Sequence, residues 1–220
     1  MTLNKSLNIA LPKGRILDSV LPILLKVGIE PEKSFFDRND RKLKFKTNIN
    51  NIDIIRVRSF DVVTFLAYGA AQMAFVGSDI LNEFNHTEVY SPLDLNIGNC
   101  KMVVAAEKDV IADEDPRSWS HVRVATKYPN VTRKHFAAKG IQAECIKLNG
   151  AMELAPKLGL CRRIVDLVST GGTLRANGLV ELDVITEVTS RLIVNRTALK
   201  TRPEGLNALI QRFEEVRDAA

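Results

Sequence analysis

The chain has 220 residues, 45% hydrophobic and 26% charged, with a formal net charge of +5 and a pI near 9.2. That is enough chain for one large core or two small ones, and the balance excludes a sequence dominated by disorder. No apolar run approaches the roughly 20 residues that cross a bilayer. The apolar stretch 7–12 is too short for a signal peptide and runs directly into Lys13 and Arg15, so a cytoplasmic chain with no membrane partner is expected.

Short β-branched runs alternate with amphipathic stretches, the pattern of an α/β protein with mostly parallel sheets. Residues 7–11 read as a first strand, 12–15 as a turn, and 16–27 as a helix stopped by Gly28. Two strands, 43–47 and 52–58, flank an Asn-rich turn, and Ser59 offers an N-cap to a helix over 60–68. A buried strand at 73–76 leads to a short helix capped by Ser78 or Asp79. The chain then runs extended through 94–98 into a strand at 101–106.

The acidic, proline-containing stretch 112–120 is the most loop-like. After it come a strand at 122–125, a helix at 131–139 ended by Gly140, a strand at 143–147, a helix at 150–158 and a strand at 164–168. Residues 169–173 form a loop that opens a helix at Leu174. Strands at 184–188 and 191–195 follow, and Pro203 starts a final helix with Leu206, Leu209, Ile210 and Phe213 on one face. Tyr68 and Phe84 read as core aromatics. Two α/β lobes are expected, with a small-molecule site in the cleft between them. Lobe I takes residues 1–93 and 183–220, and lobe II takes 94–182.

Cys100, Cys145 and Cys161 are odd in number and far apart, so reduced thiols are expected rather than a disulfide framework. His86, His121 and His135 are equally scattered, which argues against a zinc site. The positive charge fits a phosphorylated small molecule, a nucleic acid or a solvated surface. With 6% aromatics and no basic block interleaved with them, a single-stranded nucleic-acid platform is disfavoured.

The most informative stretch is the strand 164–168 followed by Ser169-Thr170-Gly171-Gly172-Thr173 and Leu174. Glycines there let backbone N–H groups converge on an anion, a helix start adds unpaired donors, and Thr170 and Thr173 add hydroxyls. Asp166 on the incoming strand can face a sugar hydroxyl or a Mg²⁺ ion. The plainer reading is a tight strand-to-helix turn with Thr173 as N-cap. Neither a Walker loop nor a dinucleotide Gly-x-Gly-x-x-Gly fits these residues.

Asp166, Val168, Thr170, Gly171, Thr173, Leu174, Asn177, Gly178 and Leu179 together resemble the signature of the ATP phosphoribosyltransferases. Leu11-Pro12-Lys13-Gly14-Arg15, the block from Arg58 to Asp79, Ala125-Thr126-Lys127-Tyr128 and the block from Asn149 to Pro156 extend the likeness over nearly the whole chain. Gln72 departs from it, because Asp usually follows Gly-Ala-Ala in that family.

The resemblance implies a two-lobed fold like the type II periplasmic binding proteins, with an inter-lobe active site. It implies condensation of ATP with phosphoribosyl pyrophosphate, with Mg²⁺ as cofactor, in the first step of histidine biosynthesis. The length resembles the family's short form. That form works with a regulatory subunit similar to histidyl-tRNA synthetase, as homodimers within a hetero-octamer, with no nucleic acid. Arg15, Arg41 and Arg58 are the implied catalytic cations. Lys13, Glu153, Asp166, Ser169, Thr170, Gly171, Gly172, Thr173 and Leu174 are the implied substrate-binding residues, and Asp166 is the one candidate contact to the metal. Two rival readings stay open on the residues alone: a two-lobed solute-binding protein and a basic nucleic-acid-binding protein.

Overall fold

The computed structural model describes residues 6–37, 39–108, 110 and 120–219. It divides into two compact units, Met1–Gly98 with Thr189–Ala220 and Asn99–Val188. The expected loop at 112–120 lies, up to residue 119, outside the described residues.

The first unit opens with β1 (Leu7–Pro12), α1 (Arg15–Lys26), β2 (Lys44–Lys46), β3 (Ile52–Val57), α2 (Ser59–Ala67), β4 (Met73–Gly77), α3 (Ser78–Phe84) and β5 (Val89–Asp94). The second unit carries β6 (Cys100–Glu107), β7 (His121–Thr126), α4 (Pro129–Ala137), β8 (Gln142–Lys147), α5 (Leu154–Lys157), β9 (Arg163–Val168), α6 (Gly172–Ala176) and β10 (Leu179–Val188). The chain then returns to the first unit as β11 (Ser190–Asn195), α7 (Arg196–Thr201) and α8 (Pro203–Asp218).

The first unit's sheet has the order β2-β3-β1-β4-β11-β5 and the second unit's the order β10-β6-β9-β7-β8. Both are mixed rather than mostly parallel: among the described residues four of nine strand pairings are parallel. Each sheet has a parallel core of three strands joined by helical crossovers, β3-β1-β4 in one and β9-β7-β8 in the other. Apart from β2, which pairs antiparallel with β3, antiparallel strands enter around the passages between the units, since β6, β10 and β11 all run against their neighbours. Alternating β and α segments reveal the parallel core, but not the polarity of strands reached by those long passages.

Each core follows from apolar periodicity. In the first unit Leu7, Ile9 and Leu11 of β1 pack with Val20 and Leu24 of α1 and with Leu206, Leu209 and Phe213 of α8. Phe75 meets Phe213 edge-on at 5.2 Å between ring centroids. In the second unit Ile164 and Val168 of β9 pack with Met152, Ala155, Leu174 and Leu179.

Several local expectations are corrected. Neither Ser59 nor Ser78 or Asp79 caps its helix: Arg58 and Gly77 hold those N-cap positions, with no side-chain cap bond. The Ser78 hydroxyl accepts instead from the Thr189 amide at 3.2 Å. The helix expected over 150–158 shrinks to α5 because Ala151 takes φ +53° just before it. Residues 89–94 form an edge strand, β10 starts five residues earlier than expected, and α7 precedes the final helix. Tyr68 is 83% exposed rather than core.

Candidate active site

In the first unit the parallel strands β3, β1 and β4 end side by side. Pro12 pairs with Val57, and the ladder continues as the Lys13 amide donates to the Val57 carbonyl at 2.9 Å. Lys13, Gly14 and Arg15 therefore leave the sheet beside Arg58, at the carboxyl edge where open α/β sheets bind ligands. Gly14 takes φ +97° and places Arg15 as the first residue of α1.

Arg41 lies just before β2. Lys44 opposes Ile55, and the Leu43 carbonyl accepts from the Arg56 amide at 2.8 Å, so the segment entering β2 runs beside the end of β3. Lys13, Arg15, Arg41 and Arg58 are all exposed. None of their side chains makes a hydrogen bond or ion pair with another described residue. Lys44 and Lys46, by contrast, both pair with the buried Asp53 at 3.0 Å. Burial pushes the Asp53 carboxyl up, but these lysines outweigh it and hold it below its usual range.

Sequence reasoning missed Arg56. Its guanidinium donates to the carbonyls of Phe35 at 3.1 Å, Asp40 at 3.4 Å and Lys42 at 3.4 Å, and it lies over the Phe45 ring at 4.8 Å. It thereby ties down the segment that carries Arg41. The available signal was an arginine interrupting the apolar run Ile54-Ile55-Arg56-Val57.

At the far side of β1, Gly77 ends β4 against Asp79: a Cβ at Gly77 would stand 2.0 Å from the Asp79 carboxylate. Gln72 also explains itself. Its Oε1 accepts from the Asn8 amide and its Nε2 donates to the Gly69 carbonyl, both at 2.8 Å. A shorter aspartate has no donor for the second bond.

In the second unit the carboxyl ends of β9, β7 and β8 carry the remaining candidates. β9 runs into Ser169 and Thr170, Gly171 turns left-handed at φ +71°, and α6 begins at Gly172. Thr173 is therefore not the N-cap but lies inside the helix. The helix is one turn long, so its field at the turn comes from individual N–H groups rather than a summed macrodipole. Gly171 is buried, and no described residue accepts a hydrogen bond from its N–H. At the start of a helix such an amide has no intrahelical acceptor, which leaves it a candidate donor to an anion.

Leu174 is buried and anchors the turn, whereas Ser169, Thr170, Gly172 and Thr173 are exposed. Behind the turn the Asn177 amide donates to the Thr173 carbonyl at 2.9 Å and accepts from Lys157 at 3.1 Å.

Glu153 is half-buried at the start of α5. Its neighbours Met152 and Ala155 share a core with Val168 and Leu174, which sets Glu153 near the turn. The strained Ala151 backbone sits in the loop that delivers it. By strand alternation Asp166 lies on the same sheet face as Ile164 and Val168. Its Oδ1 accepts from the Leu167 amide at 2.8 Å. The candidates thus fall into two groups, Lys13, Arg15, Arg41 and Arg58 in the first unit and Glu153, Asp166 and 169–174 in the second.

These features define a two-unit α/β protein, with a glycine-containing strand-to-helix turn on one unit and exposed cations without side-chain partners among the described residues on the other. The family model described as HisG: ATP phosphoribosyltransferase matches residues 58–215. The chain is 61% identical over 215 residues to an ATP phosphoribosyltransferase of Paramagnetospirillum magneticum, covering 98% of each chain. It is 61% identical over 211 residues to one of Rhodospirillum rubrum, covering 96% of this chain and 93% of that one. Among solved structures it is similar to a chain of the ATP phosphoribosyl transferase (HisG:HisZ) complex from Thermotoga maritima. There the TM-score is 0.82 at 32% identity, over 97% of this chain and 100% of that one. That neighbour has the type II periplasmic-binding-protein-like fold of two domains. The chain belongs to the ATP phosphoribosyltransferase family.

Proposed function

We propose that this chain transfers the phosphoribosyl group of phosphoribosyl pyrophosphate to ATP, giving phosphoribosyl-ATP and pyrophosphate, the entry reaction of histidine biosynthesis. An adenine ring nitrogen attacks the anomeric carbon as the bond to the pyrophosphate oxygen breaks. The transition state carries ribosyl-cation character, as in glycoside hydrolysis. The nitrogen is already nucleophilic, so alignment and neutralisation of the departing charge supply the rate.

The carrying observation is the Gly171 N–H, which donates to no described residue, within the Ser169–Thr173 turn of the family signature. In this reading the turn holds the ribose 5-phosphate through Gly171 and Gly172 amides and the Ser169, Thr170 and Thr173 hydroxyls, with Leu174 anchoring it from below. Glu153 and Asp166 take ribose hydroxyls. Arg15, Arg41, Arg58 and Lys13 take the phosphates of ATP and of the leaving group, where guanidinium forks match phosphate oxygens.

Among the described residues no group of three or more His, Cys, Asp or Glu side chains is placed to hold a metal. In this reading Mg²⁺ is carried by pyrophosphate, and Asp166 would be its contact on the protein. Bound there, it would offset leaving-group charge.

A short-form enzyme of this kind works with a separate regulatory subunit. The HisG:HisZ complex of the Thermotoga maritima neighbour supports such a partner here; in this reading the partner resembles histidyl-tRNA synthetase and catalytic homodimers sit inside a hetero-octamer. No helix among the described residues is long and apolar enough to cross a membrane, and we place the enzyme in the cytoplasm. Mixing the chain with ATP, phosphoribosyl pyrophosphate and Mg²⁺, with and without that partner, tests the reading. Growth of the phosphoribosyl-ATP absorbance is expected, and its absence in both mixtures refutes it.

A further inference from the structure

Arg175 has no role in the reading above, yet its side chain grips the phosphate turn. Its Nη2 donates to the Thr170 carbonyl at 2.9 Å. A Cβ built on Gly171 would stand 2.8 Å from its Nη1. Its own amide donates to the Gly171 carbonyl at 3.1 Å, closing the turn from the other end. The guanidinium therefore lies folded back along residues 170–171 while remaining on an exposed residue.

The consequence follows from peptide geometry. The Thr170 carbonyl and the Gly171 N–H belong to one planar trans unit and point in opposite directions. A cation holding the carbonyl on one side aims the N–H to the other. Gly171 is the residue at which such a unit rotates most easily, because it lacks a Cβ and already sits at φ +71°. Rotated by half a turn, the same unit would present a carbonyl oxygen to the phosphate and repel it.

A charge cluster surrounds this point. Glu181 Oε1 lies 3.7 Å from the same Gly171 Cβ position, and Glu181 Oε2 is bonded to Lys101. Lys101 is itself the register partner of Val168, the last residue before the turn. The carboxylate and the guanidinium both lie against the Cβ side of Gly171, so their attraction helps hold the guanidinium where it grips the Thr170 carbonyl.

We propose that Arg175 is a positioning residue: it locks the 170–171 peptide so that the Gly171 N–H faces the ribose phosphate. The inference rests on the phosphate-turn reading, and the test separates the two. In the full chain, Arg175→Ala is expected to raise KM for phosphoribosyl pyrophosphate about tenfold, the size of one lost charge-assisted hydrogen bond. KM for ATP and kcat should stay within about twofold. Arg175→Lys, which keeps a donor and a charge, should recover part of the loss.

Amide hydrogen exchange of residues 171–173 without ligand should quicken in Arg175→Ala, because the lock acts before substrate arrives. A raised KM with unchanged exchange would make Arg175 a direct phosphate ligand and overturn the lock. Faster exchange with unchanged KM would make it merely structural and overturn it equally. Thr173→Ala is the control for the premise. If it weakens phosphoribosyl pyrophosphate binding while Arg175→Ala does not, only the lock fails; if neither does, the phosphate-turn reading fails and the lock with it.

Discussion

Gly171→Ala tests the turn from the backbone side. Gly171 holds φ +71°, where an L-residue costs about 1–2 kcal/mol. The added methyl would also stand 2.8 Å from Arg175 Nη1 and 3.7 Å from Glu181 Oε1. The close neighbour is the tip of a flexible side chain, so it swings away instead of forcing the strand to move. Swinging away breaks its bond to the Thr170 carbonyl, roughly another 1 kcal/mol for an exposed hydrogen bond. The total expected loss is about 2–3 kcal/mol, together with at least a tenfold loss of phosphoribosyl pyrophosphate affinity.

Gly140→Ala supplies the comparison. Gly140 has φ +75° with nothing within 4 Å of its Cβ position, so it should show the backbone cost alone and leave substrate binding untouched. Urea unfolding of both variants, with calorimetric titration of phosphoribosyl pyrophosphate, reads the two quantities. Equal destabilisation by the two substitutions, or native affinity in Gly171→Ala, would refute the reasoning about Arg175 and the turn.

Gln72→Leu should cost about 2–4 kcal/mol in denaturant unfolding, because it strands the Asn8 N–H and the Gly69 carbonyl that Gln72 now pairs; a loss under 1 kcal/mol would show that water reaches both groups. Acidification should weaken the second unit in two stages. Burial and the Lys139 charge outweigh Asp183 and depress His135 below its usual range, so its contribution is present above the ordinary histidine pKa and fades as pH falls through the depressed one. Burial pushes Asp183 up, but Lys139 and His135 outweigh it and hold it low, so its contribution is present above the ordinary aspartate pKa and is lost at lower pH still. Melting temperatures across the acid range should lose the first stage in His135→Gln and the second in Asp183→Asn, where the first stage deepens because nothing then opposes the depression of His135; unaltered profiles would remove this cluster from the acid response.

Much of this was legible from residue order. The strand ending at Val168, the turn after it and the C-terminal helix face of Leu206, Leu209 and Phe213 follow from local pattern, because apolar period and glycine placement are local properties. The polarity of β6, β10 and β11 was not, because it depends on where the chain goes after leaving a unit. The edge strand β5 was hidden too: its exposed Tyr90 and Ser91 and its Pro92 weaken the alternating signal that marks an interior strand. Among the candidate residues, Arg15 and Arg58 could be proposed from motif, but Arg56 and Arg175 could not. Their work is to bind backbone carbonyls brought near by folding, and no spacing rule encodes that.

The contrast between Arg15 and Arg56 follows from that difference and can be measured. Arg56 satisfies three carbonyls and lies over two aromatic rings, so Arg56→Ala should cost about 2–3 kcal/mol of stability. It should also raise substrate KM by freeing the Arg41 segment. Arg15 is exposed and has no side-chain partner among the described residues. Its truncation should change stability by less than about 0.5 kcal/mol while lowering kcat about a hundredfold, as loss of one transition-state donor does. Folding has little use for Arg15, so a strong kinetic effect without a stability effect can come only from the ligand it meets. Arg15→Ala with native turnover, or with a stability loss as large as that of Arg56→Ala, would take Arg15 out of the site and leave the basic edge of the first unit as ordinary solvated surface.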